Sequence, residues 1–149
     1  MGTKNQDQFL HNMKRVAYYG LKRTNKGFAA TMLKELRDFR RDAAFIPVHP
    51  SAERIGDLPA VPSAVEISPA ADSAIIVLST EKTPKALEDV ALAGIKHVWL
   101  VLEAFNDDTE QLALEHNMEP VSGCPLLFMP EIGFPHNVHR YLAKLFKKI

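Results

Sequence analysis

The chain has 149 residues, 46% apolar and 24% charged, with 18 Lys plus Arg balanced by 18 Asp plus Glu. Zero formal charge gives no global field to draw DNA or an anionic membrane, so neither is expected as a partner. No apolar run nears the ~20 residues of a membrane span, the first residues lack the apolar core of a signal peptide, and a single cysteine suits a reducing compartment; one cytoplasmic domain is the expectation.

Taken in order, a β-rich run at 16–19 leads into Gly20, then into a loop carrying Lys22, Arg23 and Lys26. Residues 28–41 place Phe28, Met32, Leu33, Leu36 and Phe39 on one helical stripe. A second run at 44–48 is followed by an irregular stretch, punctuated by Pro50, Pro59, Pro62 and Pro69 around a short helical piece at 64–67. Runs at 74–78, 97–102 and 118–122 then alternate with helical patterns at 83–93 and 107–116. Helical extensions are expected at both termini. The last, 137–149, sets Val138, Tyr141, Leu142, Leu145 and Phe146 against Lys144, Lys147 and Lys148.

Strand–helix alternation at this spacing implies right-handed βαβ units. "AAFIPV" and "SAIIVLS" are continuously apolar, as strands buried on both faces should be. The expectation is an α/β, Rossmann-like doubly wound sheet of about five parallel strands with helices on both faces.

In such a sheet ligands bind beyond the carboxyl ends of the strands, where the strand order reverses. Gly20 permits a sharp turn there. The helix opening at Phe28 would aim free N–H groups into the same crevice, and Lys22, Arg23 and Lys26 add positive charge. A phosphate-bearing ligand fits these features, although neither G-x-G-x-x-G nor a P-loop is present; the alternative is a solvated surface around a simple turn. Other strand ends supply Val48-His49-Pro50, Ser79-Thr80 with Thr83-Pro84, Trp99 with Asn106 beyond it, and Gly123-Cys124-Pro125.

Together these motifs resemble the small stand-alone CoA-binding proteins related to the N-terminal domain of the succinyl-CoA synthetase alpha subunit. In that family a first strand ends in Gly before a basic loop, a second in Val-Asn-Pro, and the third is followed by a helix opening in Val-Pro. The fourth carries Val-Trp and the fifth ends in Cys-Pro. The resemblance spans about residues 15–130. It implies coenzyme A or an acyl-CoA as ligand, held by Gly20, Leu21, Lys22, Arg23, Lys26, Phe28, His49, Ser79, Thr80, Pro84, Asn106 and Cys124. The chain departs from the pattern at His49, where the family has Asn, and at Val101 and Glu103, where it has Gln and Gly. Its phosphate loop also lacks the family's prolines. A carboxylate at Glu103 would repel an adjacent pyrophosphate, so either it points to solvent or the ligand differs from CoA.

Cys124 is the plausible nucleophile, read either as a small buried residue or as a thiol exchanging with CoA; no cation beside it would lower its pKa. His136 and His139 sit three apart, but even with Cys124 no fourth ligand is evident, so no metal is expected. Asp107 and Asp108 suit the dipole of a helix starting after Asn106. No catalytic dyad emerges. The synthetases of the resembled family act through a phosphorylated histidine in a separate domain, so a binding module without catalysis of its own is favoured. The alternatives are a thiol-exchange enzyme using Cys124, an NAD-like nucleotide binder, and an interaction protein dimerising through its last helix.

Overall fold

The computed structural model describes residues 2–129. Five strands form one wholly parallel sheet: β1 (Arg15–Tyr19), β2 (Ala44–Val48), β5 (Ser73–Ile76), β6 (His97–Leu100) and β7 (Glu119–Ser122), in the order β2-β1-β5-β6-β7. Between β2 and β5 lies a small antiparallel hairpin of β3 (Arg54–Ile55) and β4 (Leu58–Pro59). The helices are α1 (Gly2–Asn12), α2 (Phe28–Phe39), α3 (Thr83–Leu92) and α4 (Asp107–Glu115). The fold is the expected Rossmann-like α/β arrangement.

Alternation along the strands divides the core into two layers. Val16, Tyr18, Ile75 and Trp99 face α1 and α2, while Ala17, Tyr19, Ala74, Ile76, Val98 and Leu100 face α3, α4 and a 3-10 turn at Ala64–Glu66. All four residues of β5 are buried, which is why its sequence shows no polar alternation. On α2 the stripe buries Met32, Leu33 and Leu36, each worth about 1.5–3 kcal/mol against exposure. On α1, Phe9 and Leu10 are buried, as is Met13 just past its end, and Phe9 meets Trp99 edge to face at 5.3 Å. Trp99 is a core residue whose indole N–H donates to the Gly123 carbonyl at 3.0 Å.

Helix ends follow local chemistry. α2 stops at Phe39 rather than 41 because Arg40 leaves the helix, its guanidinium donating to the Leu10 and His11 carbonyls (2.5 and 2.9 Å) at the end of α1. A cation there satisfies carbonyls that the helix leaves open. α4 starts with a reciprocal cap: Thr109 N–H donates to Asn106 Oδ1 at 2.8 Å, and Asn106 N–H to Thr109 Oγ1 at 2.9 Å. β6 ends at Leu100, two residues early, as Leu102 turns out of the sheet with φ +52°. The hairpin had no counterpart among the expected elements. It is held to α2 by a two-pronged pair, Arg37 Nη1 and Nη2 to the Asp57 carboxylate, both 2.9 Å.

Among the described residues no helix is long and apolar enough to cross a membrane. The amphipathic stretch 137–149, with His136 and His139, lies outside the described residues.

Candidate ligand-binding crevice

From β1 the chain steps outward to β2 in one direction, and from β5 through β7 in the other, so the order reverses between β1 and β5. A crevice outside the carboxyl ends of these two strands is the position where such sheets take ligands. Because every strand is parallel, Gly20, His49, Ser79, Thr80 and Cys124 all follow carboxyl ends and share one end of the sheet.

Gly20 lies at the reversal itself. Its φ is +117°, and a Cβ there would sit 2.1 Å from the carbonyl oxygen of Val77, the residue leaving β5. Val77 N–H in turn donates to the Tyr19 carbonyl at 2.9 Å. The two main chains therefore touch at the switch point, and only glycine fits. Beyond it Lys22, Arg23 and Lys26 are exposed, while Leu21 turns inward, 5% exposed, and anchors the loop in the core. Phe28 is half-buried against the same core. α2 is preceded by Gly27, which has no side chain with which to cap it. Tyr18 fixes this helix from below, its buried hydroxyl donating to the Ala29 carbonyl at 2.7 Å.

His49 follows β2, and its Nδ1 accepts the N–H groups of Ser51 and Ala52 at 3.1 and 3.0 Å. Partial burial, and then the nearby Arg23 charge, push its pKa below the ordinary histidine value. Arg23 reaches across to the same loop, donating to Ser51 Oγ at 2.6 Å.

The remaining expected residues gather on the other side of the sheet. The Ser79 carbonyl accepts from Thr83 Oγ1 at 2.8 Å and so holds the start of α3. Thr80 Oγ1 donates to the Glu103 carbonyl at 2.8 Å, tying the loops after β5 and β6 together. Thr80, Pro84 and Asn106 line one pocket of about 400 Å³ with Asp108, Gln111 and Glu115. Lys26 belongs instead to a groove of about 660 Å³ between α2 and the hairpin, walled by Lys34, Arg37, Arg41 and Asp57. The positive residues and the hydroxyl and amide residues thus occupy different walls. The Glu103 side chain is exposed.

Cys124 is 1% exposed and lies in the core cluster with Tyr18, Trp99 and Leu126. Burial pushes its thiol up to about 11, against the smaller opposing pull of the Leu126 and Leu127 N–H groups. Roughly one thiol in 10⁴ is then ionised at neutral pH. Among the described residues no group of three or more His, Cys, Asp or Glu is placed to hold a metal ion.

One constellation was missing from the expected site. Asp89 on α3 accepts from Tyr19 Oη at 2.6 Å, from Ala64 N–H at 2.9 Å, and from the Ser63 hydroxyl. Desolvation, followed by this bond to Asp89, raises the Tyr19 phenol well above its usual range. The network ties the last residue of β1 to α3 directly beneath Gly20.

The profile of the CoA binding domain family matches residues 14–130. The chain belongs to the CoA binding domain family. The match takes in β1 through β7 and every candidate residue just described. Solved structures of similar shape include a hypothetical protein from Pyrococcus horikoshii, 20% identical, with a TM-score of 0.75 over 88% of this chain and 89% of that one. A Thermus thermophilus protein is 19% identical, with a TM-score of 0.74 over 88% and 98%. The dinucleotide-forming acetyl-coenzyme A synthetase 1 of Ca. Korarchaeum cryptofilum is 20% identical, with a TM-score of 0.66 over 76% of this chain and 26% of the synthetase. At these identities the likeness is one of fold. No curated protein matches the chain.

Proposed function

We propose that the protein binds coenzyme A or an acyl-CoA across the carboxyl ends of β1 and β5, as one cytoplasmic unit without catalysis of its own. The observation that carries this reading is Gly20, pressed against the Val77 carbonyl at the switch point of a chain in the CoA binding domain family. The ligand's phosphates would meet the first turn of α2, which opens after Gly27, with Lys22, Arg23 and Lys26 around it. The pocket at Thr80, Pro84 and Asn106 has hydroxyl, amide and carboxylate walls, better suited to donor-rich parts of the ligand than to its phosphates.

Differential melting tests the reading. Ligand at 100 times its Kd stabilises the folded state by about 2.7 kcal/mol, which for a chain this size raises the melting temperature by about 5–10 °C. CoA should produce that shift where NAD and ATP at equal concentration do not. A shift with NAD and none with CoA overturns it.

A further inference from the structure

His49 closes its own loop. With Nδ1 accepting from the N–H groups two and three residues ahead, the ring does what an Asn or Asp side chain does in an Asx turn. A ring nitrogen that accepts carries no proton, so the imidazole is neutral with its hydrogen on Nε2. The loop so closed presents Ser51 Oγ to the Arg23 guanidinium at 2.6 Å. One chain of hydrogen bonds therefore runs from the ring, through Ser51, to a cation of the phosphate-facing loop.

We propose that His49 is a positioning residue for the phosphate-bearing end of the crevice: its neutral ring holds Ser51 where that hydroxyl seats Arg23, and a proton on the ring releases both. The inference rests on the reading of the crevice as a CoA site and deepens it to control by pH. Protonation would turn Nδ1 into a third donor facing two backbone donors, none able to accept. It would also place a second positive charge beside Arg23, the charge that acts on this ring. The other ionisable groups on the neighbouring segments are Lys22 and Lys26 on Arg23's loop, Glu53 and Arg54 on its own, and Glu81 and Lys82 beyond β5, all exposed. A bound phosphate would attract the imidazolium. That attraction acts between solvent-facing charges and is screened, whereas the two backbone bonds and the seat of Arg23 are lost together, so acid weakens binding. An Asn side chain at this position has an oxygen for the same two N–H groups and no proton to gain.

The test is calorimetric titration of CoA into the wild type, His49→Ala and His49→Asn at about pH 8 and about pH 5.5, either side of the ordinary histidine pKa. At the higher pH His49→Ala should bind about five-fold more weakly, the scale of one misplaced charge-assisted contact, and His49→Asn should restore most of that loss. At the lower pH the wild type should fall part of the way toward the level of His49→Ala, because burial and Arg23 hold its pKa below the ordinary value, while His49→Asn falls only with the titration of CoA itself, which all three share. Parallel decline of wild type and His49→Asn, or tighter wild-type binding in acid, overturns the proposal. Amide exchange of the free protein judges the hydrogen bonds apart from any ligand. Ser51 and Ala52 should be protected near neutral pH in the wild type and His49→Asn and exposed in His49→Ala. Equal exchange in all three overturns the proposal, while absent CoA binding at pH 8 with the expected exchange pattern refutes the crevice reading alone.

Discussion

Replacing Gly20 by Ala is the sharpest test of how the crevice is built. The added methyl would sit 2.1 Å from the Val77 carbonyl oxygen and 2.8 Å from its carbon. Both are main-chain atoms of the segment leaving β5, so no side chain can swing aside, and relief requires parting β1 from β5. Forcing a methyl into a packed site costs about 1–3 kcal/mol, and holding an L-residue at this φ costs about 1–2 kcal/mol more. The expected loss is about 2–5 kcal/mol, against a total stability on the order of 5–15 kcal/mol.

Gly94 supplies the control. It also has positive φ, +75°, but a Cβ there meets nothing within 4 Å, so Gly94→Ala carries the conformational term of about 1–2 kcal/mol alone. Urea unfolding followed by circular dichroism should place Gly20→Ala below Gly94→Ala by about 1–3 kcal/mol, seen as a lower midpoint with unchanged slope. CoA affinity should fall in the folded fraction of the first variant and hold in the second. Equal midpoints would refute the close approach of the two chains at the switch point, and with it the reason for a glycine there.

Changing Lys22 and Arg23 together to Ala should weaken CoA binding by about 1–3 kcal/mol in calorimetry, with little change in the melting temperature of the free protein, since exposed loop cations contribute little; unchanged affinity would leave them a solvated surface. For Cys124, folding raises the thiol from 9.0 to about 11, so between those values the folded chain keeps a proton that the unfolded chain loses. Its contribution is whole below about pH 9 and fades as pH rises toward 11, so wild type should lose stability relative to Cys124→Ala across that window in urea unfolding, and parallel curves would refute it. Near neutral pH the mass of the folded protein should be unchanged after incubation with oxidised CoA, and a rapid adduct would restore the thiol-exchange reading.

Most of the sheet was legible because its central strands are covered on both faces: Ser73–Ile76 is buried throughout, and after Ser73 its residues are all apolar. The α2 stripe was legible through its period. The hairpin was not, because two-residue strands with Arg54 and Pro59 exposed have no period at all. Its one sign was the pair Gly56-Asp57 between Ile55 and Leu58, a two-residue turn flanked by apolar residues.

The site divides along the same physical line. Turn residues and charges act locally, so Gly20 and the cations of its loop could be read from the chain alone. What they touch depends on strand order, which is non-local: Val77 meets Gly20 because β5 pairs with β1, and Asp89 meets Tyr19 from the helix beyond. Strand ends also do not say which way a side chain faces. Cys124 follows β7 at the carboxyl end of the sheet, yet it packs among Tyr18, Trp99 and Leu126. Leu21, expected among the ligand-holding residues, is likewise buried, anchoring the basic loop in the core. At His49 the residue was expected to meet ligand directly. In three dimensions its ring accepts the Ser51 and Ala52 N–H groups and closes a loop whose Ser51 hydroxyl meets Arg23.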